Sequence, residues 1–514
     1  MLAAENGGLP GGKAGGLGDV VRDLPRALAR RGHRVSVLTP AYGFLARLPG
    51  VRALGTVAVP FAGTTETCRW LEAPGGDSGV DCYLLDHPRF SPGGRESIYH
   101  DDGNGAPFAT DAGKFAFFSA AAAELVAGLE TKPDVLHLHD WHLGLLLLLR
   151  GFDPRLEALK SIRSVFTIHN LALQGVRPLA GADSSLARWF PDLGFPEEIV
   201  ADPRYARCVN PLAVAIRLAD AVSTVSPSYA EEIVLPADAQ SGRRGGEFLD
   251  TLLAARRGEG ALAGILNGCD YSDASPAQPG WKRLIALIGA ELIDWIAAGR
   301  HVESASWLAH GRLASLPKRQ PAVVATSIGR VTEQKLALFR QTAGRAATGM
   351  DRVLEALGGG VLIMLGTGDE DYERFLRQAM ARHENLLFLK GFSDRLAQAL
   401  YAAGDLFLMP SIYEPCGISQ MLAMRAGQPC VAHAVGGLKD TVTTANGFPF
   451  EGATPRQQAQ NFAREVAAAV DLKLGHPDRW RAVVSAARRE RFCWDTSASR
   501  YLSEVYGFDA VPAR

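Results

Sequence analysis

The feature that most constrains this fold is an alternation of short apolar segments with longer segments whose apolar residues have helical spacing. Short apolar segments of this kind are typical of strands buried on both faces, and the helical segments between them favour parallel sheets covered on both sides. Ten such strands are more than a single sheet usually contains. We therefore predict an α/β protein with two Rossmann-like domains that face each other across a ligand-binding cleft. The ten segments are RVSVLTP (34–40), DVLHLHD (134–140), SVFTIHN (164–170), AVSTVS (221–226), AGILNG (263–268), AVVATSIGR (322–330), VLIMLGTG (361–368), LLFLKGF (386–392), LFLMPS (406–411) and PCVAHAVGG (429–437).

The domain boundary is predicted at YSDASPAQPG (271–280), which is rich in the residues that end helices and strands. We expect an N-terminal domain over residues 1–272 and a C-terminal domain over 281–487. A final helical segment, 488–514, is expected to pack back on either domain. Residues 281–315 have a helical pattern and carry no motif of known chemistry.

Charge and composition exclude several classes of protein. The formal net charge is -1, so no overall field would attract nucleic acid or a membrane surface. The apolar run 145–149 is far shorter than the roughly 20 residues that span a bilayer. The seven cysteines are scattered and form no CxxC pair, which favours reduced thiols. We predict a cytoplasmic protein with no membrane or nucleic-acid partner.

A glycine-rich segment, PGGKAGGLGDVVRDLP (10–25), follows a very short first strand, MLAA, and leads into a helix predicted from about Leu17 to Ala29. A glycine loop between a strand and a helix lets backbone N–H groups approach a phosphate, and Lys13 adds a positive charge. The spacing matches neither the dinucleotide-binding nor the P-loop pattern, so a flexible surface loop with a solvated lysine remains the alternative. Because buried strands usually run to five or six residues, one hypothesis is that strand residues precede Met1.

Two strand ends of the first domain carry polar residues. In HLHDWH (137–142), Asp140 and Trp141 are placed to face a ligand, and Trp141 is suited either to stacking on a sugar ring or to the core. His137 and His139 lie on one face of the strand. They are interpreted either as two metal ligands or as imidazoles that are hydrogen-bonded within the protein. In FTIHNLALQG (166–175), His169 and Asn170 suit a small polar ligand, although Asn170 is also a good cap.

The second domain carries cations and an acid after its strands. Arg330 and Lys335 in SIGRVTEQK (327–335) suit a diphosphate leaving group, although such side chains are usually solvated. Glu414 in PSIYEPCGISQ (410–420) suits the recognition of hydroxyls or the start of a helix. VGGLKDTV (435–442) is a second glycine loop that enters a helix and could hold phosphate.

Taken together and in order, these motifs resemble the bacterial glycogen synthases and plant starch synthases, retaining glycosyltransferases of family 5. The resemblance extends from the first residues to about residue 505. It implies a GT-B fold and transfer of glucose from a nucleotide diphosphate sugar, usually ADP-glucose, to the non-reducing end of an α-1,4-glucan with retention of configuration. It implies neither a metal nor another cofactor. The motifs that carry it are KAGGLGDV, HLHDWH, FTIHNLALQG, STVSPSYAEEI, GILNGCDY, GRVTEQK, EPCGISQ and GGLKDTV.

The resemblance also implies roles for individual residues. Lys13 and the Gly15–Gly16 loop bind the donor diphosphate, and Arg330 and Lys335 neutralise it and stabilise the departing nucleotide. Glu414 holds the hydroxyls of the transferred glucose. The expected catalytic residues are Asp140, His169, Arg330, Lys335 and Glu414. The expected donor-binding residues are Lys13, Gly15, Gly16, Asp19, Asn267, Cys416, Gly417, Ser419, Gly436, Gly437 and Thr441, and Trp141 is expected to contact the acceptor glucan.

The chain departs from the family pattern in three places. A glycine usually follows the lysine of GRVTEQK, whereas here Lys335 is followed by a longer segment that we expect to form an extra loop near the donor phosphates. Ala109 stands where an aromatic residue is expected, and 281–315 has diverged. Three alternatives therefore stay open: UDP-glucose as donor, an acceptor other than glycogen, and a non-catalytic glucan-binding protein. A pyridoxal-dependent phosphorylase shares the two-domain plan, but no motif supports that cofactor.

Overall fold

The computed structural model describes residues 1–74, 79–103, 107–271, 278–299, 304–344 and 347–508. Most of the predicted boundary 271–280 lies outside these residues, as do residues 104–106, which shortly precede Ala109, and the last residues of the predicted C-terminal segment. The chain divides into two units. Unit 1 comprises Met1–Ala237, Gly245–Gly268 and Cys493–Arg514, and unit 2 comprises Asp238–Arg244 and Cys269–Phe492.

The strands of unit 1 are β1 (Val35–Pro40), β2 (Arg52–Phe61), β3 (Thr64–Ala73), β4 (Val80–Asp86), β5 (Val135–His139), β6 (Arg163–Ile168), β7 (Arg177–Pro178), β8 (Cys208–Val209), β9 (Ala221–Thr224) and β10 (Leu262–Gly264). Those of unit 2 are β11 (Val324–Ile328), β12 (Val361–Gly366), β13 (Leu386–Lys390), β14 (Leu406–Met409), β15 (Cys430–His433) and β16 (Phe448–Phe450).

The α-helices of unit 1 are α1 (Gly16–Arg30), α2 (Ala109–Gly128), α3 (Gly144–Phe152), α4 (Leu186–Trp189), α5 (Glu197–Val200), α6 (Pro211–Leu218), α7 (Pro227–Glu232), α8 (Asp250–Gly258) and, near the end of the chain, α19 (Trp494–Arg500). A π-helix, Tyr501–Tyr506, continues from α19. Unit 2 has α9 (Trp281–Ala297), α10 (Ser304–Ser315), α11 (Glu333–Arg340), α12 (Gly349–Leu357), α13 (Glu370–Arg382), α14 (Asp394–Ala403), α15 (Ser419–Ala426), α16 (Gly436–Thr441), α17 (Pro455–Gly475) and α18 (Pro477–Arg489). Short 3₁₀ turns cover Leu45–Arg47, Pro88–Phe90, Pro92–Gly94, Trp141–Leu143 and Pro154–Ser161.

In unit 1, the short first strand occupies the middle of a sheet. One four-stranded part has the order β1-β4-β3-β2 and the other has the order β10-β9-β6-β5. Leu2 forms parallel bridges to Leu38 of β1 and Leu138 of β5, so it joins the two parts. The strand order therefore changes direction at residues 1–4, which is where ligands bind in sheets of this kind.

Unit 2 contains one parallel sheet in the order β13-β12-β11-β14-β15-β16. Counted along the chain within this unit, that is the order 3-2-1-4-5-6 of a Rossmann domain. Its strands are almost wholly buried, as their continuous apolar sequences predict. The prediction of two Rossmann-like domains is confirmed, and each of the ten predicted strand segments overlaps a strand.

The sequence did not indicate the antiparallel strands β2 and β3. Arg and Thr side chains stand at exposed positions of both strands, so these strands lack the continuous apolar run that marks the parallel strands. The C-terminal segment packs on unit 1, where Trp494, Tyr501 and Tyr506 share a buried cluster with residues of α1. The extra segment after Lys335 does not begin at that residue: α11 runs on to Arg340, and the connection to α12 follows it.

Candidate functional site

The predicted cations and acid of unit 2 lie where its strand order reverses. β11 and β14 are parallel neighbours. The strands that follow β11 in the chain, β12 and β13, lie on one side of this pair, and those that follow β14, β15 and β16, lie on the other. Arg330 follows β11, and Ser411 and Glu414 follow β14, so all three lie beyond the carboxyl ends of these two strands. Arg330 is exposed and, with Lys335 and Ser411, lines one pocket of this unit. The topology thus gathers residues that are about 80 positions apart.

Lys335 and Glu414 form an ion pair in this place. Lys335 lies in the first turn of α11, and its Nζ donates to the Glu414 carboxylate. Ser411 Oγ donates to the same carboxylate at 3.0 Å. The Glu414 side chain is buried, whereas that of Lys335 is partly exposed. Because an ammonium has three N–H donors, Lys335 can hold Glu414 and still donate to an anion.

The loop that carries Glu414 and the glycine loop of VGGLKDTV (435–442) are packed backbone to backbone. Gly437 N donates to Glu414 O at 3.0 Å. Gly436 has φ +46°, and a Cβ there would lie 2.0 Å from Glu414 O. No other residue fits this approach. The glycines of VGGLKDTV therefore bring α16 against the Glu414 loop.

Gln420 is a structural residue of this site that the sequence did not indicate. Its Nε2 donates to Cys416 O at 3.1 Å and Gly417 O at 2.9 Å, and it lies 3.3 Å from Thr441 Oγ1. Cys416 and Thr441 are buried. Ser419, which begins α15, hydrogen-bonds to buried Tyr401. The predicted donor residues Cys416, Gly417, Gly436, Gly437 and Thr441 are therefore brought together, although several have their polar groups occupied within the protein.

In unit 1, the glycine loop is occupied by a carboxylate of the chain itself. Glu5 Oε2 accepts from Ala14 N at 2.8 Å and Gly15 N at 2.6 Å, and Tyr99 donates to Glu5 Oε1. The Gly15 N–H, which the resemblance assigns to the donor diphosphate, is thus already paired, and so is the neighbouring Ala14 N–H. Lys13 is exposed, and its Nζ lies 2.7 Å from the Asp19 carboxylate, so both predicted residues share one surface ion pair.

Asp140 stands at the carboxyl end of β5 in an uncommon backbone conformation, with φ +56° and ψ 178°. Its Oδ1 accepts from His169 N at 2.7 Å, which joins the ends of β5 and β6. Burial raises the pKa of Asp140 to about 7 and lowers the pKa of His169 to about 3. Strain and a perturbed carboxyl at a strand end are typical of functional sites.

The histidines of HLHDWH form a buried network. His137 Nδ1 pairs with Tyr506 Oη at 2.7 Å, and its Nε2 pairs with Thr167 Oγ1 at 2.6 Å. His139 Nδ1 lies 2.9 Å from His169 Nε2. Burial holds the pKa of both His137 and His139 well below the ordinary value. The alternative of hydrogen-bonded imidazoles therefore describes this pair. Tyr506 was not foreseen, because nothing in the sequence relates it to residue 137.

Trp141 occupies the core position that the sequence left open. It is 4% exposed and packs edge to face against Phe108 and Phe115. Gly175 covers it so closely that a Cβ there would lie 2.1 Å from the indole ring. A tryptophan so placed offers little surface for stacking on a sugar. Asn267 is buried after β10, and its Oδ1 has no hydrogen-bond partner among the described residues, so this acceptor is available to a ligand hydroxyl.

Metal-binding clusters and membrane-spanning helices are both absent from the described part of the chain. There, no group of three or more His, Cys, Asp or Glu side chains is placed to hold a metal ion. Within the same residues, none of the helices combines the length and the apolarity that crossing a membrane requires.

Two family models match the chain. The starch synthase catalytic domain matches residues 1–254, and the glycosyl transferases group 1 domain matches residues 322–471. With the two Rossmann-like domains, these matches define a glycosyltransferase. The chain is 36% identical to a glycogen synthase of Anaeromyxobacter sp. (strain Fw109-5), with 96% of each chain covered. It is 34% identical to a glycogen synthase of Streptococcus equi subsp. equi (strain 4047), with 98% of each covered. The chain belongs to the glycogen synthase and starch synthase family.

Two solved structures are similar to the whole chain. The catalytic domain of starch synthase IV from Arabidopsis thaliana, bound to ADP and acarbose, superposes with a TM-score of 0.74 at 28% identity, covering 98% of this chain and 97% of the other. A sucrose-phosphate synthase from Thermosynechococcus elongatus has a TM-score of 0.53 at 19% identity, covering 94% and 91%, and shows likeness of fold alone. The protein is an enzyme of the glycogen synthase type, which transfers glucosyl units from a nucleotide sugar to a glucan, so the non-catalytic alternative is wrong.

Proposed function

We propose that the enzyme uses ADP-glucose and extends the non-reducing end of an α-1,4-glucan with retention of configuration. The observation that carries the proposal is the Lys335–Glu414 pair beside exposed Arg330, beyond the ends of β11 and β14. The starch synthase structure that resembles the chain holds ADP, which favours an adenine donor here.

The chemistry requires charge stabilisation more than acid catalysis. The bond between glucose C1 and the diphosphate oxygen breaks, and the acceptor hydroxyl oxygen bonds to C1 from the same face. The hydroxyl proton passes to the departing phosphate. Arg330 and Lys335 stabilise the negative charge that develops on that phosphate. Glu414 accepts hydrogen bonds from glucose hydroxyls and, through its pairing with Lys335, fixes the position of the ammonium.

The residues of unit 1 are assigned roles on the same basis. We assign Asp140, His169 and Asn267 to the transferred glucose, because the first two join the ends of β5 and β6 and the third offers an unpaired acceptor among the described residues. Lys13, Asp19 and Gly16 are assigned to the donor, whereas Gly15 is not, because its N–H is already paired with Glu5. Since Glu5 occupies the N–H groups of Ala14 and Gly15, we assign the contact with the donor diphosphate to Lys13 and the start of α1 rather than to those two amides. A cytoplasmic location stays a prediction.

The test is transfer of labelled glucose from ADP-glucose and from UDP-glucose to glycogen, with maltose as a competing small acceptor. We expect kcat/KM to favour ADP-glucose by at least about tenfold, which corresponds to about 1.4 kcal/mol of discrimination. We also expect the label to be released as maltose by an exo-acting α-1,4-glucanase. A preference for UDP-glucose would show that ADP-glucose is not the preferred donor. Preferential labelling of maltose would show that a small sugar, and not glycogen, is the preferred acceptor. No transfer from any nucleotide sugar would reject the proposal.

A further inference from the structure

Arg204 of unit 1 is fixed by groups buried below it. Its Nη2 donates to Gln174 Oε1 at 2.6 Å and to Asp202 Oδ2 at 3.2 Å. The Asp202 carboxylate is fully buried and also accepts from Asn210 Nδ2 at 2.7 Å. Because these partners are buried and hydrogen-bonded to one another, they hold the guanidinium in one orientation at the protein surface.

Two exposed aromatic residues flank this guanidinium. Its central carbon lies 5.3 Å from the centre of the Tyr205 ring and 5.6 Å from that of the Phe248 ring. Tyr205 is 57% exposed and Phe248 is 63% exposed. We call Arg204, Tyr205 and Phe248 the aromatic platform. Rings held over a fixed cation lose little freedom when they bind a ligand, which lowers the entropic cost of binding.

Phe248 is held in this place at an energetic cost. Its φ is +72°, in the left-handed region that bulky residues rarely adopt, and the neighbouring Glu247 has φ +49°. An exposed phenylalanine in that conformation gains little from burial and is destabilised by backbone strain. Strain of this kind persists at ligand-binding positions, where the side chain has a use other than stability.

The platform adjoins the segment that carries His169. Gln174, which holds Arg204, donates to Glu247 O at 3.1 Å and so links the platform to the 169–175 segment. Trp141, the residue assigned by sequence to the acceptor, is buried under Gly175 of the same segment. Among the described residues of unit 1, Tyr205 and Phe248 are the large aromatic side chains that are exposed.

We propose that the aromatic platform binds an α-1,4-glucan chain. The apolar face of a glucose ring stacks on Tyr205 or Phe248, and glucose hydroxyls accept hydrogen bonds from those Arg204 N–H groups that remain open to solvent. This chemistry suits a neutral sugar polymer because the guanidinium charge is already balanced by Asp202. The inference rests on the proposed glucan acceptor and adds a binding surface to it.

The test uses the full chain and needs no donor. Phe248→Gly removes the ring and places at φ +72° the residue that tolerates it, so the variant should be at least as stable as the wild type. The measurement is mobility in native gels that contain glycogen, which gives an apparent affinity for glycogen. We expect this affinity to fall about three- to tenfold in Phe248→Gly and by a similar factor in Tyr205→Ala. Phe392→Ala is the matched control, because Phe392 is 72% exposed in unit 2 and outside the platform.

Unchanged glycogen affinity in folded Phe248→Gly and Tyr205→Ala would overturn the proposal, and so would an equal loss in Phe392→Ala. Transfer assays separate this failure from failure of the proposed function. Normal transfer with unchanged glycogen binding would reject the platform alone. Absence of transfer in the wild type, with glycogen binding that still depends on Phe248, would reject the proposed reaction alone.

Discussion

At the scale of single residues, the Lys335–Glu414 pair combines a structural and a functional demand. Glu414 is buried, so removal of its cation leaves an uncompensated charge, at a cost of about 3–5 kcal/mol for buried pairs in general. The same lysine is assigned to the leaving diphosphate. Its substitution therefore affects stability and turnover together, and a control must separate the two.

We predict that Lys335→Ala lowers kcat by at least about 10²–10³, the usual effect of removing one group that stabilises the transition state. Glu414→Ala should have an effect of similar size. Steady-state kinetics, well below the thermal midpoint of each variant, measure this. The matched control is Lys390→Ala, since Lys390 forms a buried pair with Glu373 at 2.7 Å elsewhere in unit 2. It should lose stability but keep kcat within a few-fold. Near-normal kcat in Lys335→Ala would remove this residue from catalysis.

Asp140 predicts a pH-dependent stability. Burial keeps the proton on the folded-state carboxyl up to about pH 7, whereas the unfolded chain releases it near the ordinary aspartate pKa of 3.8. Folding therefore takes up a proton between these values, and this contribution to stability falls as pH rises through that window. Burial of His142 and His169 lowers their pKa values to about 3 and gives the opposite trend, so only a comparison with a variant isolates Asp140.

We expect Asp140→Asn to gain stability relative to the wild type as pH rises from about 4 to 7, by up to about 4 kcal/mol, and to keep a constant difference above about pH 7. Asparagine can still accept the His169 N–H, while it cannot ionise. Urea denaturation of both proteins at several pH values across and above this window gives the difference directly. A difference that does not change with pH would show that Asp140 is already ionised in the folded protein.

At the scale of elements, the C-terminal π-helix supports the strand that precedes Asp140. Tyr506 hydrogen-bonds to His137 of β5, and Arg163 Nε, at the start of β6, donates to Val505 O at 2.7 Å. The last described helix of the chain is thereby tied to two central strands of unit 1. A segment that sequence alone could assign to either domain has a specific structural role.

Tyr506→Phe should lower the free energy of unfolding by about 1–3 kcal/mol, because it leaves His137 Nδ1 buried without its partner. Equilibrium urea unfolding of the full chain, followed by a signal from unit 1, measures the change. Tyr205→Phe serves as the control, since that tyrosine is more than half exposed, and it should change stability by less than about 0.5 kcal/mol. A Tyr506→Phe protein as stable as its control would contradict the role of this hydrogen bond.

Strands were predicted correctly from the sequence where both of their faces are buried. β12 and β13 are buried on both faces, so each appears in the sequence as a continuous apolar run. β2 is largely exposed, so its sequence mixes polar and apolar residues and gives no such signal. The helix α1 was predicted within one residue at either end, because the glycines before it and its apolar spacing mark it clearly.

At the scale of the whole molecule, the sequence indicated two domains and the strand ends that carry polar groups, but not the partners of those groups. The pairing of Glu5 with Gly15 N, the hydrogen bonds of Gln420 and the contact of Tyr506 with His137 all depend on which groups folding brings within hydrogen-bond distance. Periodicity and motif spacing contain no information of that kind. The same limit explains why the sequence was compatible with both a core and a ligand-binding position for the tryptophan of HLHDWH.

Unit 1 is discontinuous along the chain, and this has a consequence for the newly made protein. The ribosome releases residues 1–268 well before residues 493–508, which cover the cluster of Val20, Leu24 and Val165. At about 5–20 residues per second, synthesis of the intervening unit 2 takes roughly 10–45 s. During that interval the nascent chain presents an uncovered apolar surface, so its yield in the cell should depend on chaperones that act during translation.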